Sequence, residues 1–289
     1  MASLKEVQTK ISGVKKTAQI TKAMNMVAAA KLRGAQDKME AFRPYTAKFN
    51  DAMSNLSGGA NTNAFPLMEN RLVKTVEMVV VTSDRGLCGS FNSNIIKLAL
   101  KKMAEYEAEG KAVSFVCVGK KGHQLLKKTG KIRKSYLETM GNFQMFHARE
   151  IATDVAQQFL NGTTDKVEIL FGKFVSVARQ IPTIAPFLPV QPVEVEEGAE
   201  KAISGDYIYE PSSEEIMDTL QPLYLNVQIY SSMLEVGAGE HAARMASMDN
   251  ATNACKDIVS NLTVVYNKAR QAAVTSELMD IVGGAEALK

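Results

Sequence analysis

The sequence has few of the residues that form disulfide frameworks and metal sites. Its 289 residues include three cysteines, without a CxxC pair, and three histidines, none of which has a second ligand at metal-binding spacing. These absences argue against a disulfide-stabilised secreted domain and against a zinc site. No apolar run reaches the roughly eighteen residues of a membrane span, and the first twenty residues lack the apolar core of a signal peptide. We therefore expect a soluble protein of a reducing cytosol.

Acidic residues are missing from one stretch and concentrated in another. None lies between Glu6 and Asp37, where six cations occur: Lys10, Lys15, Lys16, Lys22, Lys31 and Arg33. Between Glu194 and Glu215 there are eight acidic residues and one lysine. The net charge of +3 is too small to indicate a nucleic-acid-binding protein. The uneven distribution indicates different partners at the two places, with two ordinary solvated faces as the alternative.

Proline is rare towards both ends of the chain, and there the apolar residues follow a heptad pattern. Residues 4–42 keep alternating steps of three and four over about five heptads, and Pro44 is expected to end or kink this helix. A similar seam, without proline, extends over residues 227–279. Two long helices with matching seams are expected to pair as an antiparallel coiled coil, formed by residues 1–57 and 213–289.

Between the two helices, short β-rich runs alternate with helical stretches. The runs at 76–83, 113–119 and 167–174 are typical of strands, and the helical patterns lie at 91–108, 119–128 and 147–160. The proline-containing run at 181–190 is expected to be an edge strand or a connection. This alternation predicts an α/β, Rossmann-like body with a mostly parallel sheet over residues 72–211, inserted between the long helices.

The segment TSDRGLCGSFNSNI (82–95) follows the first predicted strand, where many phosphate-binding loops lie. It contains G-x-x-G instead of G-x-G-x-x-G, and no Lys-Ser/Thr follows as in a Walker loop. The segment therefore predicts a tight turn that needs Gly86 and Gly89. An alternative is a partner-contact loop that presents Asp84, Arg85 and Cys88 at its tip.

No complete catalytic motif is found elsewhere in the sequence. There is no G-x-S-x-G elbow and no pair of carboxylates in an evident catalytic setting. We expect no catalytic residue, no cofactor and no metal. The alternative function is a Rossmann-type nucleotide-dependent enzyme with a coiled-coil dimerisation module.

Three stretches, at 11–36, 82–95 and 240–288, resemble the signature stretches of the gamma subunit of bacterial F-type ATP synthases. They are ISGVKKTAQITKAMNMVAAAKLRGAQ, TSDRGLCGSFNSNI and EHAARMASMDNAT…LTVVYNKARQAAVTSELMDIVGGAEAL. The likeness extends along the whole chain and thins between about residues 100 and 200.

The resemblance implies a non-catalytic subunit whose paired terminal helices form the central rotor shaft. The shaft would turn inside three alpha and three beta subunits and couple ion flow to ATP synthesis or hydrolysis at their catalytic sites. The body would lie against the epsilon subunit and the membrane c ring. The complex would be peripheral, at the cytoplasmic face of the bacterial inner membrane, and the chain would neither insert into the membrane nor bind nucleic acid.

The resemblance also implies particular contact residues. Ten would contact beta subunits: Lys22, Met24, Asp84, Arg85, Cys88, Arg244, Arg270, Gln271, Thr275 and Glu277. Tyr207 would contact the c ring and epsilon, although ordinary packing is an alternative for Tyr207 and Met24. Plastid relatives carry an inserted cysteine pair that acts as a thiol switch, and no such insertion is present here, so redox gating is not expected.

Overall fold

The computed structural model of the chain describes residues 4–57, 65–191 and 213–286. Its elements begin and end with two long helices, α1 (Leu4–Ser57) and α5 (Ser213–Glu286). The chain divides into two compact units, one of residues 1–29 with 244–289 and the other of residues 30–243. Each long helix therefore contributes one segment to each unit.

A five-stranded sheet lies within the unit of residues 30–243. Its strands are β1 (Thr75–Val81), β2 (Ala112–Val118), β3 (Ile132–Tyr136), β4 (Lys166–Ser176) and β5 (Arg179–Leu188). They are ordered β3-β2-β1-β4-β5, with β5 antiparallel to β4 and all other neighbours parallel. The predictions of a mostly parallel sheet and of an edge strand near 181–190 are confirmed.

Three helices connect the strands, close to the predicted positions. They are α2 (Phe91–Ala108), α3 (Lys120–Leu126) and α4 (Met145–Leu160), and single 3-10 turns occur at Pro66–Met68 and Lys127–Thr129. Residues 76–81 of β1 are all buried, as expected for a parallel strand that is covered on both faces. Strand β3 was not predicted, because its five residues include the charged Arg133 and Lys134.

The two long helices run antiparallel in each unit, as predicted. In the unit of residues 30–243, the rings of Phe42 and Tyr230 pack edge to face at 4.9 Å, and Gln228 donates a 3.2 Å hydrogen bond to Asn50. In the other unit, the hydroxyls of Thr21 and Thr252 lie 2.7 Å apart, and Asn25 Nδ2 donates a 2.9 Å hydrogen bond to the carbonyl of Met245. Because partners in α5 come earlier as residues in α1 come later, the antiparallel arrangement is confirmed.

Of the two expectations for Pro44, an end of the helix is not observed, and α1 reaches residue 57 as predicted. Helix α1 continues through Pro44 to Ser57. Proline removes one backbone hydrogen bond. Tertiary packing stabilises the helix on both sides of Pro44: Phe42 packs against Tyr230, and Met53 is buried. Such packing cannot be read from the local sequence.

The predicted seam of the second helix also needs a correction. Ile258 and Val265 are exposed, whereas their neighbours Val259 and Tyr266 are partly buried. Both choices preserve steps of three and four from Cys255. Where two apolar residues are adjacent, only the partner helix determines which of them is covered.

Candidate functional site

The loop after β1 is closed by hydrogen bonds among its own side chains. The amide of Ser83 donates to Asn92 Oδ1 at 3.0 Å, and Asn92 Nδ2 donates to Ser83 Oγ at 2.8 Å and to Cys88 Sγ at 3.2 Å. The Ser83 hydroxyl donates to the carbonyl of Arg85 at 2.7 Å. Asn92, in the first turn of α2, therefore holds the loop in one shape.

Asp84 ties this loop to the ends of the two neighbouring strands. Its Oδ1 accepts hydrogen bonds from the amides of Lys120 at 2.9 Å and Glu138 at 3.2 Å. Lys120 follows β2 and Glu138 follows β3, so one carboxylate oxygen joins three strand ends. Asp84 therefore has a structural role, and its presence in the loop does not require a bound ligand as its explanation.

Two expectations about the loop are wrong in detail. Gly89 does adopt a left-handed conformation, with φ 56, but the second such position is Leu87, with φ 62, and not Gly86. This backbone turns the Leu87 side chain outward, where it is 62% exposed, and leaves Cys88 buried at 3%. The loop therefore presents Arg85 and Leu87, and not the Cys88 thiol.

The remaining residues predicted to contact beta subunits lie on the long helices. Lys22 is exposed and Met24 is partly buried on α1; on α5 the exposed residues are Arg270, Gln271, Thr275 and Glu277. Arg244 is buried at 8%, so it does not share their open surface. Because Thr21 pairs with Thr252, Arg270 lies eighteen residues, or about 27 Å, further along α5. Tyr207 lies outside the described residues.

An apolar surface that was not predicted lies exposed near the end of α5. Its exposed residues are Val274, Leu278, Met279, Ile281 and Val282. Continuing the pairing of Thr21 with Thr252 brings Leu4 level with about residue 269, so α5 extends beyond the start of α1. Counting along the antiparallel pair could have revealed this surface.

The buried carboxylates of the sheet are paired with cations. Glu77 contacts Arg133 Nε at 2.5 Å, and Glu168 contacts Lys166 at 2.7 Å. Burial by itself would raise the pKa of Asp154, but hydrogen bonds from Arg133 and Lys134 outweigh it and lower that pKa. Each of these carboxylates is therefore engaged by at least one cation of the same region.

The described ranges offer neither a metal site nor a membrane span. Within residues 4–57, 65–191 and 213–286, no cluster of three acidic, histidine or cysteine side chains could bind a metal ion. None of the helices in these ranges combines the length and the apolar character needed to cross a bilayer.

Comparison with known proteins identifies similar sequences over the full length. The family model described as ATP synthase matches residues 3–288. An ATP synthase gamma chain of Desulfotalea psychrophila is 72% identical over 290 residues, covering 100% of both chains. One of Maridesulfovibrio salexigens is 52% identical over 291 residues, again covering 100% of both.

Solved structures of ATP synthases are similar in fold. A chain of the Tetrahymena thermophila mitochondrial central stalk and c-ring has 25% identity and a TM-score of 0.60, covering 80% of this chain and 99% of that one. A chain of the Euglena gracilis mitochondrial ATP synthase has a TM-score of 0.69, covering 99% of this chain and 94% of that one. Its 20% identity supports the fold alone.

Proposed function

Because the chain belongs to the ATP synthase gamma chain family, we propose that it is the central rotor shaft of an F-type ATP synthase. It couples ion flow through the membrane c ring to ATP synthesis or hydrolysis at the alpha and beta subunits, and it is itself non-catalytic. The carrying observation is the antiparallel pairing of two long helices, one of 74 residues, that are continuous with an α/β unit. A shaft must resist bending and twisting, and paired helices meet that requirement.

The proposal assigns partners to different parts of the chain. Three alpha and three beta subunits surround the paired helices, and epsilon and the c ring contact the body of residues 72–211. The similar Tetrahymena chain comes from a structure described as a central stalk and c-ring. We place the assembly at the cytoplasmic face of the bacterial inner membrane, with the chain peripheral and without a cofactor. The limits 1–57, 72–211 and 213–289 belong to this proposal.

The proposed beta contacts are of two kinds. Lys22 and the polar residues from Arg270 to Glu277 provide exposed groups that can form and release hydrogen bonds as the shaft turns. Arg85 and Leu87 provide a loop contact with a fixed backbone. Exposed ion pairs are usually worth less than about 1 kcal/mol, so a single charged contact of this kind would not hold the rotor in one orientation.

The alternative of a nucleotide-dependent enzyme has little structural support. The polar side chains after β1, Ser83 and Asn92, bond to each other and to the loop backbone. A phosphate-binding loop instead directs backbone amides at its ligand. Equilibrium binding of labelled ATP and NAD to the purified chain separates the alternatives: the rotor shaft binds neither appreciably.

Assembly with its partners tests the proposed function directly. The chain, co-expressed with alpha, beta, epsilon and the membrane subunits, should purify with a tagged alpha subunit and give ATP-driven ion pumping in inverted vesicles. Complexes without the chain should not pump. Failure of the parent chain to assemble or to support pumping would reject the proposal.

A matched pair of variants tests the contact near the end of α5. Arg270 and Lys268 are both exposed cations, and two residues of helix separate their directions by about 200°. Arg270→Ala should reduce coupled pumping, whereas Lys268→Ala should leave it unchanged. Equal effects of the two substitutions would reject a specific contact at Arg270.

A further inference from the structure

The first residue of α2 occupies a slot between two glycines. Phe91 is buried, and a Cβ atom at Gly172 of β4 would lie 2.6 Å from its Cε2 atom. A Cβ atom at Gly239 of α5 would lie 2.8 Å from the same atom. Carbon atoms pack best at about 3.5–4.0 Å, so any larger residue at either position would require the ring to move. Glycine at both positions therefore leaves free the space that the Phe91 ring occupies.

A second phenylalanine approaches α5 from another direction. A Cβ atom at Gly237 would lie 3.3 Å from Cε1 of Phe143. Gly237 and Gly239 are two residues apart, so they face directions separated by about 200° around the helix axis. The rings of Phe91 and Phe143 thus hold α5 between them. We call these five residues the glycine clasp: Phe91, Phe143, Gly172, Gly237 and Gly239.

Glu235 reinforces the clasp one helical turn before Gly239. Its Oε2 accepts a 2.6 Å hydrogen bond from the backbone amide of Phe174, two residues beyond Gly172 on β4. Its Oε1 lies 3.9 Å from Arg43 Nη2 of α1. One carboxylate therefore links β4, α5 and α1 at the level of the clasp.

Glycine inside a helix lowers the stability of the folded chain relative to alanine, because glycine loses more backbone freedom on folding. At Gly34 of α1, by comparison, a Cβ atom would meet nothing within 4 Å. The close approaches at Gly237 and Gly239 provide a packing reason for their lack of a side chain.

We propose that the glycine clasp and Glu235 form the joint that transmits torque between the α/β region and α5. This inference rests on the proposed rotor function and deepens it. Turning or sliding α5 would move Cβ atoms of its other residues against the two rings, and the overlap opposes that movement. An apolar surface without such interlocking would resist separation of the two elements but would resist rotation much less.

Two variants of the assembled complex test the joint. Phe91→Ala empties the slot, and Gly239→Ala inserts a Cβ atom that overlaps the ring. In inverted vesicles both should retain ATP hydrolysis while losing ATP-driven ion pumping, and hydrolysis should become less sensitive to a block of the c ring. The ratio of ions pumped to ATP hydrolysed is the measurement, because a loss of folded protein would lower both quantities together.

The controls are Phe146→Ala, which removes an exposed ring of α4, and Gly34→Ala. Both should couple like the parent. Phe91→Val removes the ring atoms that overlap an added Cβ, so combining it with Gly239→Ala should recover part of the pumping lost in Gly239→Ala alone. If a variant fails to assemble, Phe91→Leu provides a milder change for the same measurement.

Two outcomes would overturn the joint. One is normal coupling in assembled Phe91→Ala and Gly239→Ala complexes; the other is an equal loss of coupling in Phe146→Ala. These results differ from a failure of the proposed function, in which the parent chain itself would give no coupled pumping.

Discussion

Arg133 is the shared cation of two carboxylates, so its replacement tests how the sheet is held together. Glu77 on β1 is 0% exposed and receives bonds from Arg133 Nε at 2.5 Å and from Nη2 at 3.3 Å. The same Nη2 lies 2.6 Å from Asp154 of α4. In Arg133→Met, Glu77 keeps only a long contact of 3.5 Å with the Ser114 hydroxyl. Breaking a buried pair on one side costs about 3–5 kcal/mol, and we expect that loss of unfolding free energy.

Two further variants separate the pair from the general loss of a charge. Lys134 lies 3.0 Å from Asp154, but its side chain is about two-fifths exposed. Lys134→Met should therefore cost less than about 1 kcal/mol. The double variant Glu77→Leu with Arg133→Met removes both charges and should be more stable than Arg133→Met alone.

Urea unfolding of the purified full chain, followed by circular dichroism, provides the measurement. The transition midpoint should fall in Arg133→Met, with a slope close to that of the parent. A change below about 1 kcal/mol, or one equal to that of Lys134→Met, would refute the reasoning. It would mean that Glu77 does not depend on Arg133 in the folded chain.

Three other predictions concern the loop after β1, the acid stability of the body and the long helix. A cysteine placed at exposed Leu87 should crosslink to an engineered cysteine on a beta subunit, whereas native Cys88 should not; equal yields would contradict the observed turn. Burial by itself would raise the pKa of Asp165, but hydrogen bonds from Thr75 and Lys74 outweigh it and lower that pKa. The stability that the ionised Asp165 contributes is therefore lost as the pH falls below its ordinary pKa of 3.8. Asp165→Asn should flatten the pH dependence of urea unfolding below about pH 4, and an unchanged profile would argue against this assignment. Leu262→Pro should cost about 3 kcal/mol in α5 and reduce coupling more than assembly, and normal coupling would contradict a load on that segment.

Long-range architecture could be predicted where the physical signal is local. The heptads over residues 4–42 predict α1 because the apolar residues fall repeatedly on the same face of a helix. The strand β3 escaped detection because Arg133 and Lys134 find their partners on other elements. The choice of Ile258 over Val259 likewise depended on the partner helix, which one sequence does not specify.

The candidate contacts show the same division. The position of the loop after β1 could be predicted from its glycines, but its exposed residue depends on the left-handed backbone of Leu87. The glycine clasp could not be predicted, since Gly172 and Gly239 are meaningful only beside the ring of Phe91. The reason for glycine at these two positions becomes visible only in the folded chain, where residues far apart in sequence come into contact.

Phe91 and Asn92 are adjacent in sequence but contact different parts of the structure. Asn92 fixes the loop after β1, and Phe91 packs against α5 through Gly239. A displacement of the loop therefore reaches α5 through one peptide unit and one aromatic ring, without passing across the sheet. The connection between the loop after β1 and α5 is therefore short. On the proposed rotor function, we expect the longer spans of α1 and α5, and not this connection, to bend or twist most under load.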